Sequence, residues 1–271
     1  TLYQKMRALI IYLVISAVFI GCTPILSIDA STQSVYHFSD TDKNISLLDI
    51  SETFGTYDGS FVLYDNNLDS WKIYDLEEAT KRIPPESTYK IYDALLGLES
   101  GIITPEHSSM TWNGDAFPFP SWEADQDLNS AMQNSVNWYF QAIDSQLGIN
   151  RVQEFLNKIE YGNQTTSSNL DLYWSDFSLK ISPLEQVTLL KKFNTNEFHL
   201  NFQNVFSVKN AIKIASTPNG NFYGKTGTGR VNGQDINGWF IGYVETSDNS
   251  YYFATNIQSD SNATGKKAFE I

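Results

Sequence analysis

Strand-like segments lie near both ends of the chain beyond residue 50, and helical patterns fill the space between them. The strand-like segments cover residues 60–64, 71–74, 222–226, 238–244 and 251–257. The first two flank a polar turn and predict a hairpin. Residues 87–206 are mainly helical in pattern, most clearly over 127–140 and 150–159. We therefore predict an α+β fold with a mainly helical middle, in which one antiparallel sheet is built from both ends of the domain.

An uncharged apolar segment lies at the N-terminus. Residues 8–28 carry no charge, Lys5 and Arg7 precede them, and Asp29 is the next charged residue. A length of about 20 apolar residues suits a transmembrane helix, and the basic flank favours a cytoplasmic N-terminus. This pattern predicts a cell-membrane protein that crosses the membrane once in this sequence. Residues 1–7 would be the cytoplasmic end of an upstream region.

A second interpretation of the same segment is a signal peptide. Met6 is a possible start, and residues 19–22 loosely resemble a lipoprotein cleavage site ending at Cys22. In either case the polar residues 29–50 are expected to form an extracellular tether, and residues 51–271 an extracellular domain. The chain begins with Thr1 and stops as a helical pattern starts at residues 268–271, so we expect sequence to be missing at both ends.

Composition excludes several classes of function. The net charge is −13, which repels nucleic acid, so no nucleic-acid partner is expected. One cysteine allows no disulfide within the chain. The three histidines are far apart in sequence, and the chain has no H-E-x-x-H or C-x-x-C string, so no metal site is predicted.

Ser87 and Lys90 form an S-x-x-K motif at a predicted helix start. Two prolines precede the motif, and apolar residues then recur at helical spacing. Residues three apart on a helix are neighbours, and a lysine that is dry and neutral can remove the proton from a serine hydroxyl. The alternative is a serine cap with a solvated lysine, since one S-x-x-K is expected about once by chance in a chain of this length.

Two further motifs follow in order. Residues 225–227 read Lys-Thr-Gly at the end of a strand-like run, where a lysine and a hydroxyl can bind a carboxylate and glycine permits close approach. A glycine-rich strand end is the structural alternative. Ser135 and Asn137 form an S-x-N string on a predicted helix between the other motifs. A second such string, at residues 247–249, follows Lys-Thr-Gly in a predicted turn, so we assign it a structural role.

This ordered set resembles the penicillin-recognising serine acyltransferases and β-lactamases. Tyr-Gly-Asn at 161–163, Tyr-Trp at 173–174 and Leu-Lys-Ile-Ser at 179–182 resemble the class D β-lactamases. Residues 82–92, 132–140 and 223–229 with 237–240 resemble the extracellular sensor domain of BlaR/MecR-type β-lactam sensor-transducers. The resemblance covers roughly residues 50–271.

The resemblance implies a role for each matching residue. Ser87 would be acylated by the antibiotic, with Lys90 as its general base, and the class D branch carries a CO₂-derived carbamate on this lysine that Trp174 steadies. Ser135 would pass a proton to the ring nitrogen, and Lys225 and Thr226 would bind the antibiotic's carboxylate beside Gly227. The backbone N–H groups of Ser87 and Thr228 would form the oxyanion hole.

Asn137 departs from the class D pattern, in which an apolar residue is usual at this position. An amide there can hydrogen-bond Lys90 and stop it from assisting deacylation, so the acyl-enzyme would persist. The resemblance therefore implies a membrane-anchored β-lactam receptor that signals to an upstream metalloprotease domain of the same polypeptide, absent from this sequence. A class D β-lactamase is the first alternative, a peptidoglycan transpeptidase the second, and a structural domain with a dead site the third.

Overall fold

The computed structural model describes residues 44–271. The predicted cytoplasmic end at 1–7, the transmembrane helix at 8–28 and most of the tether at 29–50 lie outside the described residues. Within the described part of the chain, no helix combines the length and the apolar character needed to cross a membrane.

A seven-stranded sheet forms the centre of the domain. Its spatial order is β1-β3-β2-β7-β6-β5-β4. The strands are β1 (Ile45–Leu47), β2 (Asp58–Asp65), β3 (Ser70–Tyr74), β4 (Lys213–Thr217), β5 (Gly220–Val231), β6 (Gln234–Glu245) and β7 (Ser250–Gln258). The N-terminal and C-terminal strands meet where β2 pairs with β7, as the sequence predicts.

Nine α-helices accompany the sheet in the described residues. They are α1 (Ser51–Phe54), α2 (Leu76–Thr80), α3 (Lys90–Glu99), α4 (Leu128–Gln133), α5 (Asn137–Leu147), α6 (Ile149–Ile159), α7 (Pro183–Asn194), α8 (Phe202–Ala211) and α9 (Gly265–Glu270). Helices α3 to α8 form the predicted helical middle. The α+β class is therefore confirmed.

Two predictions about the sheet need correction. Residues 45–47, assigned to the tether, form the edge strand β1, because their backbone pairs with residues 71–73 of β3. That pairing is parallel, so the sheet is mixed rather than wholly antiparallel.

The sheet separates two hydrophobic cores because side chains alternate along each strand. On β2, Val62 and Tyr64 face the large core under the helical middle, whereas Leu63 faces a smaller core. The smaller core is closed by Phe54 of α1 and Ala268 of α9. The larger core contains α3 and α5, which carry the residues described next.

The predicted helix over 127–140 is broken in two. Helix α4 ends at Gln133, Ser135 has a left-handed backbone (φ 54°), and α5 starts at Asn137. Two indole groups stabilise the break: Trp122 Nε1 donates to the Asn134 carbonyl over 3.0 Å, and Trp138 Nε1 donates to the Trp122 carbonyl over 2.9 Å. The interruption places Ser135 at a turn instead of on a helix.

Candidate active site

Ser87 lies in a short 3₁₀ turn, Glu86–Tyr89, that leads directly into α3. No side chain caps this turn, and the Ser87 hydroxyl faces Lys90 instead. The turn is fixed to β6 because Trp239 Nε1 and Asn237 Nδ2 both donate to the Pro84 carbonyl, over 2.8 and 3.0 Å. Ser87 itself is partly exposed, so a ligand can reach it.

Lys90 is completely buried and lies between the two candidate serines and Asn137. Its Nζ is 2.7 Å from Ser87 Oγ, 2.6 Å from Asn137 Oδ1 and 3.4 Å from Ser135 Oγ. Burial, followed by the neighbouring charge of Lys225, holds the pKa of Lys90 well below its usual range. A neutral amine at this position can accept the Ser87 proton.

Ser135 and Lys225 close the opposite side of the site. Lys225 Nζ donates to Ser135 Oγ over 2.9 Å and to the Thr226 carbonyl over 2.8 Å. Lys225 is 5% exposed, and burial lowers its pKa to about 7. The three motifs, separated by up to 138 residues in sequence, thus converge on a chain of contacts from Ser87 through Lys90 and Ser135 to Lys225.

Strand β5 approaches the Ser87 turn very closely at Gly227. A Cβ atom at Gly227 would lie 3.1 Å from Glu86 Cβ and 3.2 Å from the Ser87 nitrogen, so this position favours glycine. Strand β4 pairs with β5 only as far as Tyr223, which leaves residues 225–229 on an open edge of the sheet. Thr226 is half-buried and Thr228 is exposed on this edge, where a carboxylate ligand has access.

Aromatic rings surround the amine of Lys90. The Nζ atom lies 5.7 Å from the ring centroid of Phe140 and 5.9 Å from that of Trp174. Trp174 is 2% exposed, and its carbonyl accepts a hydrogen bond from the Glu86 N–H over 3.0 Å. These rings exclude water from Lys90, which is the physical origin of its lowered pKa.

Glu86 is a site residue to which the sequence analysis assigned no role. It has a left-handed backbone (φ 53°) and is 5% exposed. Asn237 Nδ2 donates to Glu86 Oε1 over 3.1 Å, and the missing side chain at Gly229 leaves room for the carboxyl group. Burial raises the pKa of Glu86 to about 8, although Asn237 and Lys90 oppose the shift. Asn237 is 151 residues away from Glu86 in sequence, so no local pattern reveals their contact.

Comparison with known proteins places the chain in a family. The family described as "Penicillin binding protein transpeptidase domain" matches residues 59–271. The chain belongs to this family.

The chain is also similar to proteins named for regulation and for methicillin resistance. It is 44% identical to "Regulatory protein BlaR1" of Bacillus licheniformis over 100% of this chain and 45% of that protein. It is 39% identical to "Methicillin resistance mecR1 protein" of Staphylococcus aureus over 99% of this chain and 45% of that protein. The chain thus spans about half the length of these relatives.

Solved structures agree with this placement. The "C-terminal domain of the Bacillus licheniformis BlaR penicillin-receptor" matches with a TM-score of 0.81 at 46% identity, over 84% of this chain and 93% of that one. "Class D beta-lactamase BAT-2" matches with a TM-score of 0.76 at 35% identity, over 82% and 91% of the two chains. The predicted resemblance to BlaR/MecR-type sensors, with a class D β-lactamase-like fold, is confirmed.

Proposed function

We propose that this protein is a β-lactam receptor that is acylated at Ser87 and retains the acyl group. The observation that carries the proposal is the position of Lys90 Nζ, buried and within hydrogen-bonding distance of both Ser87 Oγ and Asn137 Oδ1. The similarity to regulatory proteins and to a penicillin-receptor domain supports the same function.

Acylation follows from the contacts in the site. Lys90 removes the proton from Ser87 Oγ, which attacks the carbonyl carbon of the β-lactam ring. The carbon–nitrogen bond of the ring then breaks, and the ring nitrogen receives a proton through Ser135. Lys225 and Thr226 bind the antibiotic's carboxylate beside Gly227, and the N–H groups of Ser87 and Thr228 stabilise the oxyanion.

Persistence of the adduct follows from Asn137. Hydrolysis of the acyl-enzyme needs a base that activates water at the ester carbon. The short contact between Lys90 Nζ and Asn137 Oδ1 keeps the amine engaged with an amide. A lysine held in this way does not activate water, so acylated Ser87 is a lasting signal that the antibiotic is present.

Lys90 also has the properties that carbamate formation requires. An uncharged amine attacks the carbon of CO₂ and releases a proton, and burial keeps this amine uncharged. Trp174 and Phe140 would pack against the resulting group. The carbamate on Lys90 is therefore part of the proposal for the unliganded protein, where its oxygen would accept the Ser87 proton, and the contact with Asn137 that blocks hydrolysis applies to the free amine.

The signalling part of the proposal concerns the whole protein. A receptor of this kind passes the acylation signal through a membrane helix, here residues 8–28, to a metalloprotease domain upstream in the same polypeptide and so induces resistance. In this arrangement the Ser87 domain is extracellular, where it meets antibiotics. Support comes from the regulatory relatives, which are about twice the length of this chain.

Mass spectrometry after incubation with benzylpenicillin tests the proposal. We expect one penicilloyl adduct on the peptide containing Ser87, and no adduct in the Ser87→Ala variant. Ser247→Ala, which alters the second S-x-N string in the turn between β6 and β7, is the matched control and should be acylated normally. An adduct on another residue, or none at all, would contradict the proposal.

A class D β-lactamase is the second candidate function. The observation that favours it is 35% identity to "Probable beta-lactamase YbxI" of Bacillus subtilis, over 84% of this chain and 83% of that protein. A β-lactamase forms the same adduct but hydrolyses it quickly, so the lifetime of the adduct separates the two functions. A peptidoglycan transpeptidase is a further alternative, and transfer of the acyl group to an amine acceptor would identify it.

A further inference from the structure

Three side-chain amides lie in the sheet behind the Ser87 turn. Asn237 on β6 and Asn256 on β7 are 6% and 1% exposed, and Gln258, further along β7, is half-buried. None of the three takes part in the acylation chemistry. Burial of an amide is costly unless the amide is hydrogen-bonded, so the partners of these groups indicate what they do.

The three amides form a chain of hydrogen bonds, here called the amide relay. Gln258 Nε2 donates to Asn256 Oδ1 over 3.2 Å, and Asn256 Nδ2 donates to Asn237 Oδ1 over 2.9 Å. Asn237 Nδ2 then donates to the Pro84 carbonyl over 3.0 Å and to Glu86 Oε1 over 3.1 Å. The amide relay therefore ends on the turn that carries the nucleophile.

Two backbone carbonyls fix the direction of the amide relay. A carbonyl oxygen can only accept, so the Pro84 carbonyl requires the nitrogen of Asn237. In the same way, the Gly238 carbonyl, which accepts over 3.1 Å, requires the nitrogen of Asn256. The oxygen of Asn237 then faces Asn256, and loss of the Asn256 nitrogen would leave this buried oxygen unpaired and Asn237 without its support.

Glu86 is the point at which the amide relay acts on Ser87. Its left-handed backbone (φ 53°) is strained for a residue other than glycine and persists only where the surroundings hold it. The bond from Asn237 and the bond from the Glu86 N–H to the Trp174 carbonyl, over 3.0 Å, provide that hold. The planar peptide between Glu86 and Ser87 carries the Ser87 N–H, so relaxation of Glu86 would rotate this donor.

We propose that Asn237 and Asn256 are positioning residues for Ser87, and that Asn256 acts only through Asn237. The pair holds Glu86 in its strained conformation and thereby keeps the Ser87 N–H directed at the oxyanion. In this role neither amide contacts the antibiotic. The pair therefore affects the step in which charge develops on the antibiotic's carbonyl oxygen, and not the initial binding at Lys225 and Thr226.

This inference rests on the proposed acylation at Ser87, and stopped-flow acylation of the full chain with a fluorescent penicillin tests it. The concentration dependence separates the dissociation constant of the first complex from the acylation rate constant at saturation. We expect Asn256→Ala to lower the saturating rate constant at least about tenfold, because small misplacements at a reacting centre have large effects. The dissociation constant should change little. Asn219→Ala, at an exposed position in the turn between β4 and β5, is the control and should match wild type.

A double-mutant cycle tests whether Asn256 acts through Asn237. The double variant Asn237→Ala/Asn256→Ala should be acylated as fast as Asn237→Ala alone, because Asn256 then has no side-chain amide left to support. Rate losses that multiply in the double variant would overturn the inference. An unchanged saturating rate constant in Asn256→Ala, or a loss confined to the dissociation constant, would overturn it as well.

The thermal midpoint of each variant separates positioning from a purely structural role. A purely structural pair would lower the midpoints but leave the saturating rate constant unchanged, since that constant does not depend on how many molecules are folded; this result would overturn the inference. Asn256→Leu, which avoids a cavity, repeats the test if Asn256→Ala does not fold. Wild-type protein that forms no adduct on Ser87 would instead refute the proposed function, so the two failures are distinguishable.

Discussion

Lys90 Nζ lies 2.6 Å from Asn137 Oδ1 and 2.7 Å from Ser87 Oγ, so the amine that activates the nucleophile is also bound by an amide. The two contacts have opposite consequences. The contact with Ser87 supports attack on the β-lactam, and the contact with Asn137 opposes the later activation of water. One buried amine therefore accounts both for the acylation of Ser87 and for the slow hydrolysis of the acyl group.

Replacement of Asn137 with valine should convert the site toward hydrolysis. Valine keeps the site dry and cannot hydrogen-bond Lys90, which is then free to activate water. We expect the deacylation rate constant to rise at least about a hundredfold, in the range typical of general base catalysis. The measurement is the loss of the acyl adduct over time, and Asn137→Gln, which keeps an uncharged amide acceptor for Lys90, is the control that should stay slow.

Loss of the positive charge on Lys225 should lower the rate of acylation by the antibiotic at alkaline pH. Its pKa of about 7 means that the amine is charged below pH 7 and loses its charge as the pH rises through 7. Since the carboxylate is attracted only to the charged form, the second-order acylation rate should decrease above pH 7. Lys225→Arg stays charged throughout and should lack this decrease; an identical alkaline decrease in that variant would show that another group is responsible.

Glu86 should make the protein less stable as the pH rises. Its pKa is about 8 when folded and near 4.5 when unfolded, so the folded state binds more protons between these values and stability falls across this range. Glu86→Gln should remove a pH-dependent loss on the order of 4 kcal/mol between pH 4.5 and 8. Urea unfolding at pH 5 and pH 8 measures the difference. The exposed Glu154→Gln is the control, and parallel curves for Glu86→Gln and wild type would contradict the assignment.

The carbamate on Lys90 can be tested by carbon-13 NMR. Protein equilibrated with labelled bicarbonate should give one carbamate resonance, which Lys90→Ala loses. Trp174→Ala should weaken the signal, because removal of the ring admits water to the amine and favours its protonated form. A resonance that persists in Lys90→Ala would place the modification on another lysine.

The sequence predicted those parts of the site that follow from local spacing and motif order. Ser87 and Lys90 share one helical turn, whereas the contact of Asn137 with Lys90 was expected from the resemblance to the β-lactam sensors and its departure from the class D pattern. The Glu86–Asn237 contact was missed because it joins residues 151 positions apart through side chains alone. Ser135 was placed on a continuous helix because its neighbours have helical periodicity, whereas the indole groups of Trp122 and Trp138 stabilise a break there.

The fold was predicted where hydrophobic alternation is strong and missed where pairing partners decide the structure. The hairpin of β2 and β3 and the strands β5 to β7 have clear alternation, and all were expected. Residues 45–47 have no such pattern and become strand β1 only because β3 offers a free edge. The parallel direction of that pairing depends on contacts between residues that are distant in sequence, which hydrophobic periodicity does not encode.

The lifetime of acylated Ser87 is the most direct test of the account. Wild-type protein is acylated with benzylpenicillin, free antibiotic is removed, and intact mass is followed over time at neutral pH. The account predicts that the adduct persists over hours and that Asn137→Val loses it much sooner. Wild-type protein that turns over penicillin many times per minute would contradict the receptor function and identify a β-lactamase.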